Sequence, residues 1–257
     1  MDGMNMGKLA MITGASSGIG TELAREMGRR GYDLILTGRN ETRLKALSSE
    51  FGGRAVWLGL DLSKSEEIDK LICLIRERKP DILINNAGFG LFGDFMDADP
   101  GATQALINVN CLAVTTLMQA AMQAMQEKDE AYILNVASVA GMLPAGPHLC
   151  SYYASKSYVV SLTLGARQEA RERGLGISIS ALCPGPVNTR FNERAGVKFA
   201  LPGKEPAVIA SAAVRGMFRG KALIVPGVMI RASALLARLL PRTVYTVLIS
   251  GQQRKKG

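Results

Sequence analysis

A glycine-rich turn between an apolar run and an amphipathic run is the feature that most constrains the fold of this chain. Residues 8–13 (Lys-Leu-Ala-Met-Ile-Thr) have the composition of a buried strand, and 14–20 (Gly-Ala-Ser-Ser-Gly-Ile-Gly) follow directly. Ile19, Leu23 and Met27 then share one face of a helix. Such a turn lets the backbone approach a pyrophosphate, whose charge the helix N-terminus attracts. The spacing is a variant of the dinucleotide-binding fingerprint, and for the glycines alone a tight turn without a ligand is the alternative.

Short apolar runs with the composition of strands recur along the chain and alternate with helical runs. The runs predicted as strands are 8–13, 33–38, 54–60, 81–84, 132–136, 176–182 and 222–225. Strands that alternate with helices imply right-handed crossovers and a parallel sheet. The chain has 257 residues and no linker or repeat. We therefore expect one α/β domain over 1–257, a Rossmann fold whose doubly wound parallel sheet has about seven strands flanked by helices.

Two helix starts carry capping signals. Asn40 is of a residue type that caps the helix after the second strand. Ser63 and Glu66 have capping-box spacing at the start of the helix after the third strand. The side chains of Asn40, Ser63 and Glu66 are predicted to satisfy free backbone N–H groups at these helix starts.

The ends of the second and third predicted strands indicate which dinucleotide is bound. At the second end an acidic residue would bind a ribose 2′-hydroxyl and repel a 2′-phosphate. Here the chain offers Gly38 and then Arg39, whose guanidinium pairs well with a phosphate. The third strand ends in Asp61 and Leu62, where an adenine ring could lie. The sequence therefore favours NADP(H) over NAD(H), with a solvated loop arginine as the alternative.

Tyr152 and Lys156 form the candidate acid–base pair. They lie four residues apart, on one face if the segment is helical, and none of the other five tyrosines has a lysine four residues on. Work at neutral pH requires the tyrosine pKa of about 10 to fall by roughly three units, or about 4 kcal/mol. A positive charge about 4 Å away, at an effective dielectric constant of about 20, supplies that order of energy. We therefore expect Lys156 to lower the pKa of Tyr152; an ordinary helix face is the alternative for the pair alone.

Composition excludes several classes of site and partner. The four cysteines are scattered and there is one histidine, His148, so we expect reduced thiols in a cytoplasm and no metal site. No secretory signal is visible at the start. The net charge of +9 suits a phosphorylated cofactor, a nucleic acid or an anionic membrane. Because basic residues rarely alternate with aromatic ones, we do not expect a nucleic-acid partner.

Residues 101–126 contain no charged side chain, so a membrane span must be considered. Nine Asn, Gln and Thr residues within the run, Asn110 among them, make it too polar to face lipid. We expect a long helix buried against the sheet and a partner subunit.

Taken together, these pieces resemble the short-chain dehydrogenase/reductase family over about 8–225. The matching residues are Thr13, Gly14, Gly18, Gly20, Asn85, Asn86, Ala87, Gly88, Asn110, Ser138, Tyr152, Lys156, Pro184 and Gly185. None of them departs from the family pattern, and their order and spacing are specific although single pieces are not. Family members often pair through the helices matching 101–126 and 152–173, so the resemblance implies a homodimer or homotetramer.

The resemblance also implies a mechanism for a small carbonyl or alcohol substrate. NADPH would deliver a hydride to a carbonyl carbon while Tyr152 donates the proton to the oxygen. Ser138 would stabilise that oxygen, Lys156 would hold the nicotinamide ribose, and Asn110 would position a relay water. The residues implied to contact the cofactor are Gly14, Ser16, Ser17, Gly18, Ile19, Gly20, Arg39, Asp61, Leu62, Asn86, Ala87, Gly88, Tyr152, Lys156, Pro184, Gly185, Val187 and Thr189.

The substrate pocket and the C-terminal end allow coarser expectations. Apolar side chains near the site favour an apolar ketone or aldehyde: Phe89, Leu91, Phe92, Met142, Leu143, Leu149, Phe191 and Phe199. Residues 226–257 form an apolar extension that Pro241 divides into two short amphipathic helices. These helices could cover the cleft, form a subunit interface or lie on an anionic membrane surface. Two further alternatives stay open, a non-catalytic NADP(H)-binding redox sensor and a membrane-surface protein.

Overall fold

The described part of the chain contains seven strands and nine α-helices, together with short 3₁₀ segments at Phe95–Asp97 and Val139–Met142 and a π-helical turn. The computed structural model describes residues 7–188, 203–237 and 240–254. The strands are β1 (Leu9–Ile12), β2 (Asp33–Gly38), β3 (Ala55–Gly59), β4 (Ile82–Asn85), β5 (Ala131–Val136), β6 (Ile177–Leu182) and β7 (Leu223–Ile224). The helices are α1 (Ile19–Arg29), α2 (Glu41–Ser49), α3 (Ser65–Arg78), α4 (Pro100–Ile107), α5 (Val114–Met125), α6 (Cys150–Glu172), α7 (Pro206–Phe218), α8 (Val228–Ala237) and α9 (Arg242–Arg254).

The strands form one parallel sheet in the order β3-β2-β1-β4-β5-β6-β7. This confirms the predicted doubly wound fold. The chain runs outward from β1 through β2 to β3 and then returns to place β4 on the other side of β1. Such a reversal leaves a crevice at the carboxyl ends of β1 and β4, where folds of this class bind ligands.

Successive residues of the central strands pack against different helical layers. Ala10 and Ile12 of β1 are fully buried against the layer that contains α1 and α7. Met11 points to the opposite face and packs with the layer of α3 and α5. Because both faces are covered, the strands read as continuous apolar runs rather than alternating ones.

The uncharged run folds as the continuous helical segment Pro100–Met125, with a π-helical turn at Asn108–Ala113 between α4 and α5. By length and composition alone it is the one helix in the described ranges that could cross a membrane, but half of its most apolar window is buried in the protein. Leu106 and Leu117 are fully or almost fully buried. The segment is therefore packed as a core helix, as expected for its sheet-facing side.

One capping prediction is confirmed and one is wrong. The Asn40 side chain accepts a hydrogen bond from the backbone N–H of Arg43 at 3.0 Å, which caps α2. The Ser63–Glu66 capping box does not form, since α3 begins after Lys64 without a side-chain cap. The Ser63 hydroxyl and N–H bind Asp61 Oδ1 instead, at 2.9 and 3.1 Å. The Ser63 N–H, which would donate to Glu66 in a capping box, is thus bound by Asp61 in a local turn.

Candidate active site

A cleft of about 590 Å³ opens at the carboxyl ends of the strands and gathers most of the predicted site residues. Those that line it are Gly14, Ser16, Ser17, Gly18, Ile19, Arg39, Asp61, Leu62, Asn86, Ala87, Gly88, Ser138, Tyr152, Lys156, Pro184, Gly185 and Val187. Thr189 lies outside the described residues. The crevice that the strand order creates and the residues that the motifs select therefore coincide.

The glycine-rich turn has the backbone shape that its composition predicts. Gly14 and Gly18 have φ angles of 66° and 58°, in the left-handed region that glycine adopts without strain. Asn86 Nδ2 donates to the carbonyl oxygens of Thr13 and Gly14 at 2.9 and 3.1 Å. This side chain joins the end of β4 to the turn after β1, so two walls of the cleft are held in register.

Gly20, which was also predicted to contact the cofactor, has a packing role in the structure. It is buried in the first turn of α1 and is not among the residues that line the cleft. A β-carbon at this position would lie 2.3 Å from the Gly14 carbonyl oxygen and 2.4 Å from Asn86 Nδ2. Glycine is needed here because α1 approaches the turn too closely for any side chain.

Arg39 is a free cation at the adenosine end of the cleft. Its side chain is exposed and follows β2 directly. No described residue accepts a hydrogen bond from its guanidinium or forms an ion pair with it. Lys156, the second cation that lines the cleft, donates to the Val136 carbonyl oxygen. The next residue is Asn40, so the two positions that follow β2 directly are a cation and an amide rather than an acidic residue.

Ser138 and Tyr152 are brought together from separate elements. Ser138 follows β5, and its hydroxyl accepts a hydrogen bond from the Ala140 N–H at 3.1 Å. Tyr152 lies in the first turn of α6 and shares a side-chain hydrogen bond with Ser138. The pair faces the cleft, where a ligand oxygen can reach both hydroxyls.

Burial raises the pKa of Tyr152 to about 12, with the hydrogen bond to Ser138 acting in the opposite direction. The expected depression by Lys156 is therefore wrong for the protein in this state. The Lys156 nitrogen is 5.9 Å from the centre of the Tyr152 ring, and loss of solvation outweighs a charge at that distance. A phenol in this environment stays protonated throughout the neutral range.

Lys156 is itself a buried cation. Its Nζ donates to the Val136 carbonyl oxygen at 2.9 Å, and the residue is 5% exposed. Burial lowers its pKa to about 8. A β-carbon on Gly88 would lie 3.1 Å from Nζ, so the absence of a side chain there leaves room beside the ammonium.

Asn110 lies behind the cleft wall, in the π-helical turn. Its Oδ1 accepts from the Phe89 N–H at 3.1 Å, and its Nδ2 donates to the Phe89 carbonyl oxygen at 2.9 Å and to Ser155 Oγ at 3.0 Å. A β-carbon added to Gly88 would lie 3.1 Å from Asn110 Oδ1 and 3.1 Å from Lys156 Nζ. Asn110 thus clamps the loop after β4 and lies in the neighbourhood of the ammonium.

The apolar part of the cleft matches the predicted substrate residues in part. Phe89, Leu143 and Leu149 line the cleft, and Phe92 packs against the cluster of Ala140, Leu149 and Tyr153. Met142 instead lines a second cavity. Leu91 is half-buried and is not among the lining residues; Phe191 and Phe199 lie outside the described residues.

Several lining residues were not predicted. Thr37, Leu60, Val136 and Ala137 lie at carboxyl ends of strands, so the general rule for parallel sheets would have found them. Ile249 reaches the cleft from α9, and no local signal marks it, because the exposed residues Val247 and Leu248 directly before it are equally apolar. Within the described ranges, no group of three or more His, Cys, Asp and Glu side chains could hold a metal.

Comparison with known proteins places this fold and cleft in a family. The family model described as short chain dehydrogenase matches residues 8–198. Dehydrogenase/reductase SDR family member 11 of Bos taurus is 31% identical over 214 residues, which are 79% of this chain and 82% of that protein.

Three solved structures show the same architecture. A short-chain dehydrogenase from Sphingobium yanoikuyae in complex with NADPH is 31% identical, with a TM-score of 0.81 over 90% of this chain and 93% of that one. A bulky-bulky ketone specific alcohol dehydrogenase from Comamonas testosteroni is 26% identical, with a TM-score of 0.77 over 90% and 92%. A short chain dehydrogenase/reductase from Burkholderia phymatum in complex with NAD is 26% identical, with a TM-score of 0.81 over 91% and 93%. This chain therefore belongs to the short-chain dehydrogenase/reductase family and is an oxidoreductase that acts on a carbonyl or alcohol with a nicotinamide cofactor.

Proposed function

We propose that this protein is an NADP(H)-dependent reductase that interconverts an apolar ketone or aldehyde and its alcohol, with Tyr152 as the acid–base residue. The observation that carries the proposal is the hydrogen-bonded pair of Ser138 and Tyr152 in the cleft, with Lys156 one turn further along α6. A non-catalytic cofactor sensor would not need this arrangement.

The cleft fits a nicotinamide dinucleotide. Its glycine turn exposes backbone where the phosphates would lie, and the open space beside Gly88 and Lys156 suits the nicotinamide ribose. When bound, the cofactor supplies or accepts a hydride. Gly14, Ser16, Ser17, Gly18 and Ile19 would hold the pyrophosphate. Leu62, Ala87, Pro184, Gly185 and Val187 would line the remainder of its path, with Thr189 as an expected further contact.

The proton chemistry follows from the side chains. The protonated Tyr152 donates to the developing alkoxide, which is far more basic than a phenolate, and the Ser138 hydroxyl donates a second hydrogen bond to that oxygen. The buried Lys156 charge stabilises the phenolate that is left. Asn110 holds the Phe89 backbone and, in this proposal, orders a water that returns the proton through Lys156.

The preference for NADP(H) is supported by Arg39. A guanidinium directly after β2, at the position where an acidic residue would bind a ribose 2′-hydroxyl, suits a 2′-phosphate. One similar structure holds NADPH and another holds NAD, so the side chain rather than the family supports this point.

The apolar substrate is supported by the cleft wall around Tyr152, where Leu143, Leu149 and Ile249 are aliphatic. The similar alcohol dehydrogenase from Comamonas testosteroni is described as specific for bulky ketones. The test is oxidation of NADPH and NADH across a panel of apolar ketones, aldehydes and steroid carbonyls, with the matching alcohols and NADP⁺ for the reverse reaction. Turnover with NADPH is expected. Tight NADPH binding with no turnover of any carbonyl or alcohol would favour the sensor.

We also propose a cytoplasmic homodimer or homotetramer that pairs through α5 and α6. The Thr115 and Tyr158 hydroxyls lie 2.8 Å apart across these helices. The surface beside them exposes apolar side chains, with Leu112 44% and Leu164 37% exposed. Sedimentation velocity should show a Leu112→Asp variant as a smaller species than the wild type.

A further inference from the structure

The positive charge of this chain is concentrated at its C-terminal end. Residues 206–257 contain nine lysines and arginines and no aspartate or glutamate. The whole chain has 31 basic and 22 acidic side chains, so residues 1–205 carry 22 of each and are formally neutral. The net charge of +9 is thus a property of α7 and the segments that follow it.

Four of these cations surround a second cavity, which we call the basic cavity. It has a volume of about 660 Å³ between α7, β7 and the start of α8, and Arg215, Arg219, Lys221 and Arg231 line it without any carboxylate. No residue lines both this cavity and the catalytic cleft. All four side chains are exposed. In the described ranges none of them forms an ion pair, and only Arg215 has a side-chain partner, the Ser211 hydroxyl at 2.6 Å.

Exposed apolar side chains lie on the two helices that follow the basic cavity; we call them the apolar ridge. On α8, Val228 is 85% and Met229 is 83% exposed. On α9, Val247 is 75% and Leu248 is 61% exposed. Large apolar side chains that are this exposed leave aliphatic surface on both helices available to a partner.

The opposite faces of these helices are bound to the protein. Ile230 Cδ1 lies 3.0 Å from where a Gly185 β-carbon would be, and Tyr245 is 8% exposed. Ile249 lines the catalytic cleft. The helices are therefore anchored on one face, and the apolar ridge is a fixed outer surface.

We propose that the basic cavity and the apolar ridge together form a docking surface for an anionic phospholipid bilayer. Exposed aliphatic side chains on helices that lie along an interface enter the boundary between headgroups and acyl chains. The cations of the basic cavity would then hold lipid phosphates, to which a cluster of arginines and a lysine is suited. Helix diameter is about 10 Å, so the docked face lies one helix width from the cleft that Ile249 lines.

A second copy of this chain is the competing occupant. A two-fold interface uses the same patch on both subunits. It would therefore oppose the four cations of one copy to the four of the other, with no acidic residue in 206–257 to neutralise them. An anionic bilayer satisfies both the charge and the apolar ridge.

The test is flotation of the full chain, loaded with NADPH, with vesicles of phosphatidylcholine alone or of phosphatidylcholine mixed with phosphatidylglycerol. We expect binding to the mixed vesicles, weakened by added salt. Each cation near an anionic surface contributes a factor of about five in affinity. Arg219→Gln with Lys221→Gln should therefore lower binding roughly thirtyfold. Val247→Ser with Leu248→Ser should lower binding both with and without added salt.

The matched control removes two exposed arginines from α3, Arg76→Gln with Arg78→Gln, and should leave flotation unchanged. Equal binding to both vesicle types, or wild-type flotation of the Arg219/Lys221 variant, would overturn the proposal. The proposal would also be overturned if no vesicle floats the protein and if the protein self-associates through a contact that Val247→Ser with Leu248→Ser abolishes. Saturable binding of inorganic phosphate without vesicle binding would equally exclude a bilayer dock. Because flotation needs no turnover, the result is independent of the proposed carbonyl chemistry.

Discussion

The ammonium nitrogen of Lys156 lies 5.9 Å from the centre of the Tyr152 ring and donates its hydrogen bond to the Val136 carbonyl oxygen at 2.9 Å. The two groups are close enough to influence each other, but burial dominates both. It lowers the pKa of Lys156 to about 8 and raises that of Tyr152 to about 12. The pair in this structure is a protonated acid beside a desolvated cation, and this has consequences for stability and for catalysis.

The stability of the protein should rise with pH between about 8 and 10 because of Lys156. An unfolded lysine has a pKa of about 10.4, so over this window the unfolded state binds more protons than the folded state, and the free energy of unfolding increases. Below about pH 8 both states carry the charge and the burial cost is complete. Above about pH 10 the effect reverses, since the raised pKa of Tyr152, about 12, makes the folded state bind the extra proton.

Urea unfolding at several pH values measures this effect. The difference in unfolding free energy between wild type and Lys156→Met should change by roughly 2 to 3 kcal/mol from pH about 7 to about 10. Lys45→Met, at an exposed lysine of α2, controls for removal of an ammonium. A pH-independent difference between wild type and Lys156→Met would contradict the depressed pKa.

Ser138→Ala should lower kcat about 10²- to 10³-fold, the loss typical of one donor to a developing oxyanion. The substitution also removes the hydrogen bond that opposes the rise in the Tyr152 pKa. Single-turnover reduction measures the change without product release. Ser157→Ala is the matched control, since that serine donates to the Gly141 carbonyl oxygen at 3.1 Å from the same helix as Tyr152. A Ser138→Ala enzyme with wild-type kcat would show that Ser138 only shapes the loop.

Arg39→Ala should raise the KM for NADPH about 10- to 100-fold and leave the KM for NADH nearly unchanged. The reason is that hydrogen bonds to a charged phosphate contribute about 1.5 to 3 kcal/mol, and NADH has no phosphate at that position. Arg43→Ala, one turn into α2, removes a charge nearby and should alter neither value. If both cofactors weaken equally, Arg39 does not read the 2′-phosphate.

Asn110→Ala should cost about 2 to 4 kcal/mol of unfolding free energy, because it removes three hydrogen bonds and leaves the partly buried Phe89 backbone groups without the Asn110 side chain as a partner. Asn110→Asp keeps the acceptor for the Phe89 N–H but sets a buried carboxylate oxygen against the Phe89 carbonyl oxygen, so it should lose at least as much. Chemical denaturation of both variants, with kcat measured where each is folded, separates the clamp from a proton relay. Unchanged stability in Asn110→Ala would show that the Asn110 hydrogen bonds to the Phe89 backbone do not stabilise the fold.

Much of the fold and of the cleft follows from the sequence because local patterns decide it. The apolar runs fix the strands, and the turn after Ile12 needs glycine at Gly14 and Gly18 whatever ligand is bound. Parallel strands bring their carboxyl ends to one edge, so Asn86, Ser138 and Pro184 meet without any long-range information.

The sequence is less informative where contacts between distant segments decide the outcome. The close approach of α1 to Asn86, which requires glycine at Gly20, cannot be seen in the motif. Spacing alone predicted that Lys156 would lower the pKa of Tyr152, whereas desolvation by the surrounding fold raises it. Likewise, nothing in α9 distinguishes Ile249, which faces the cleft, from Leu248, which faces outward.

The most direct test of the central claim is the rate of NADPH-dependent carbonyl reduction in Tyr152→Phe. Tyr158→Phe is its control, since Tyr158 lies on the same helix, is 42% exposed and bonds Thr115 rather than the cleft. General acid catalysis contributes about 10²- to 10⁴-fold, so Tyr152→Phe should lose at least that much in kcat while it still binds NADPH and unfolds like the wild type. Tyr158→Phe should keep its activity. A Tyr152→Phe enzyme that reduces its carbonyl at the wild-type rate would contradict the mechanism.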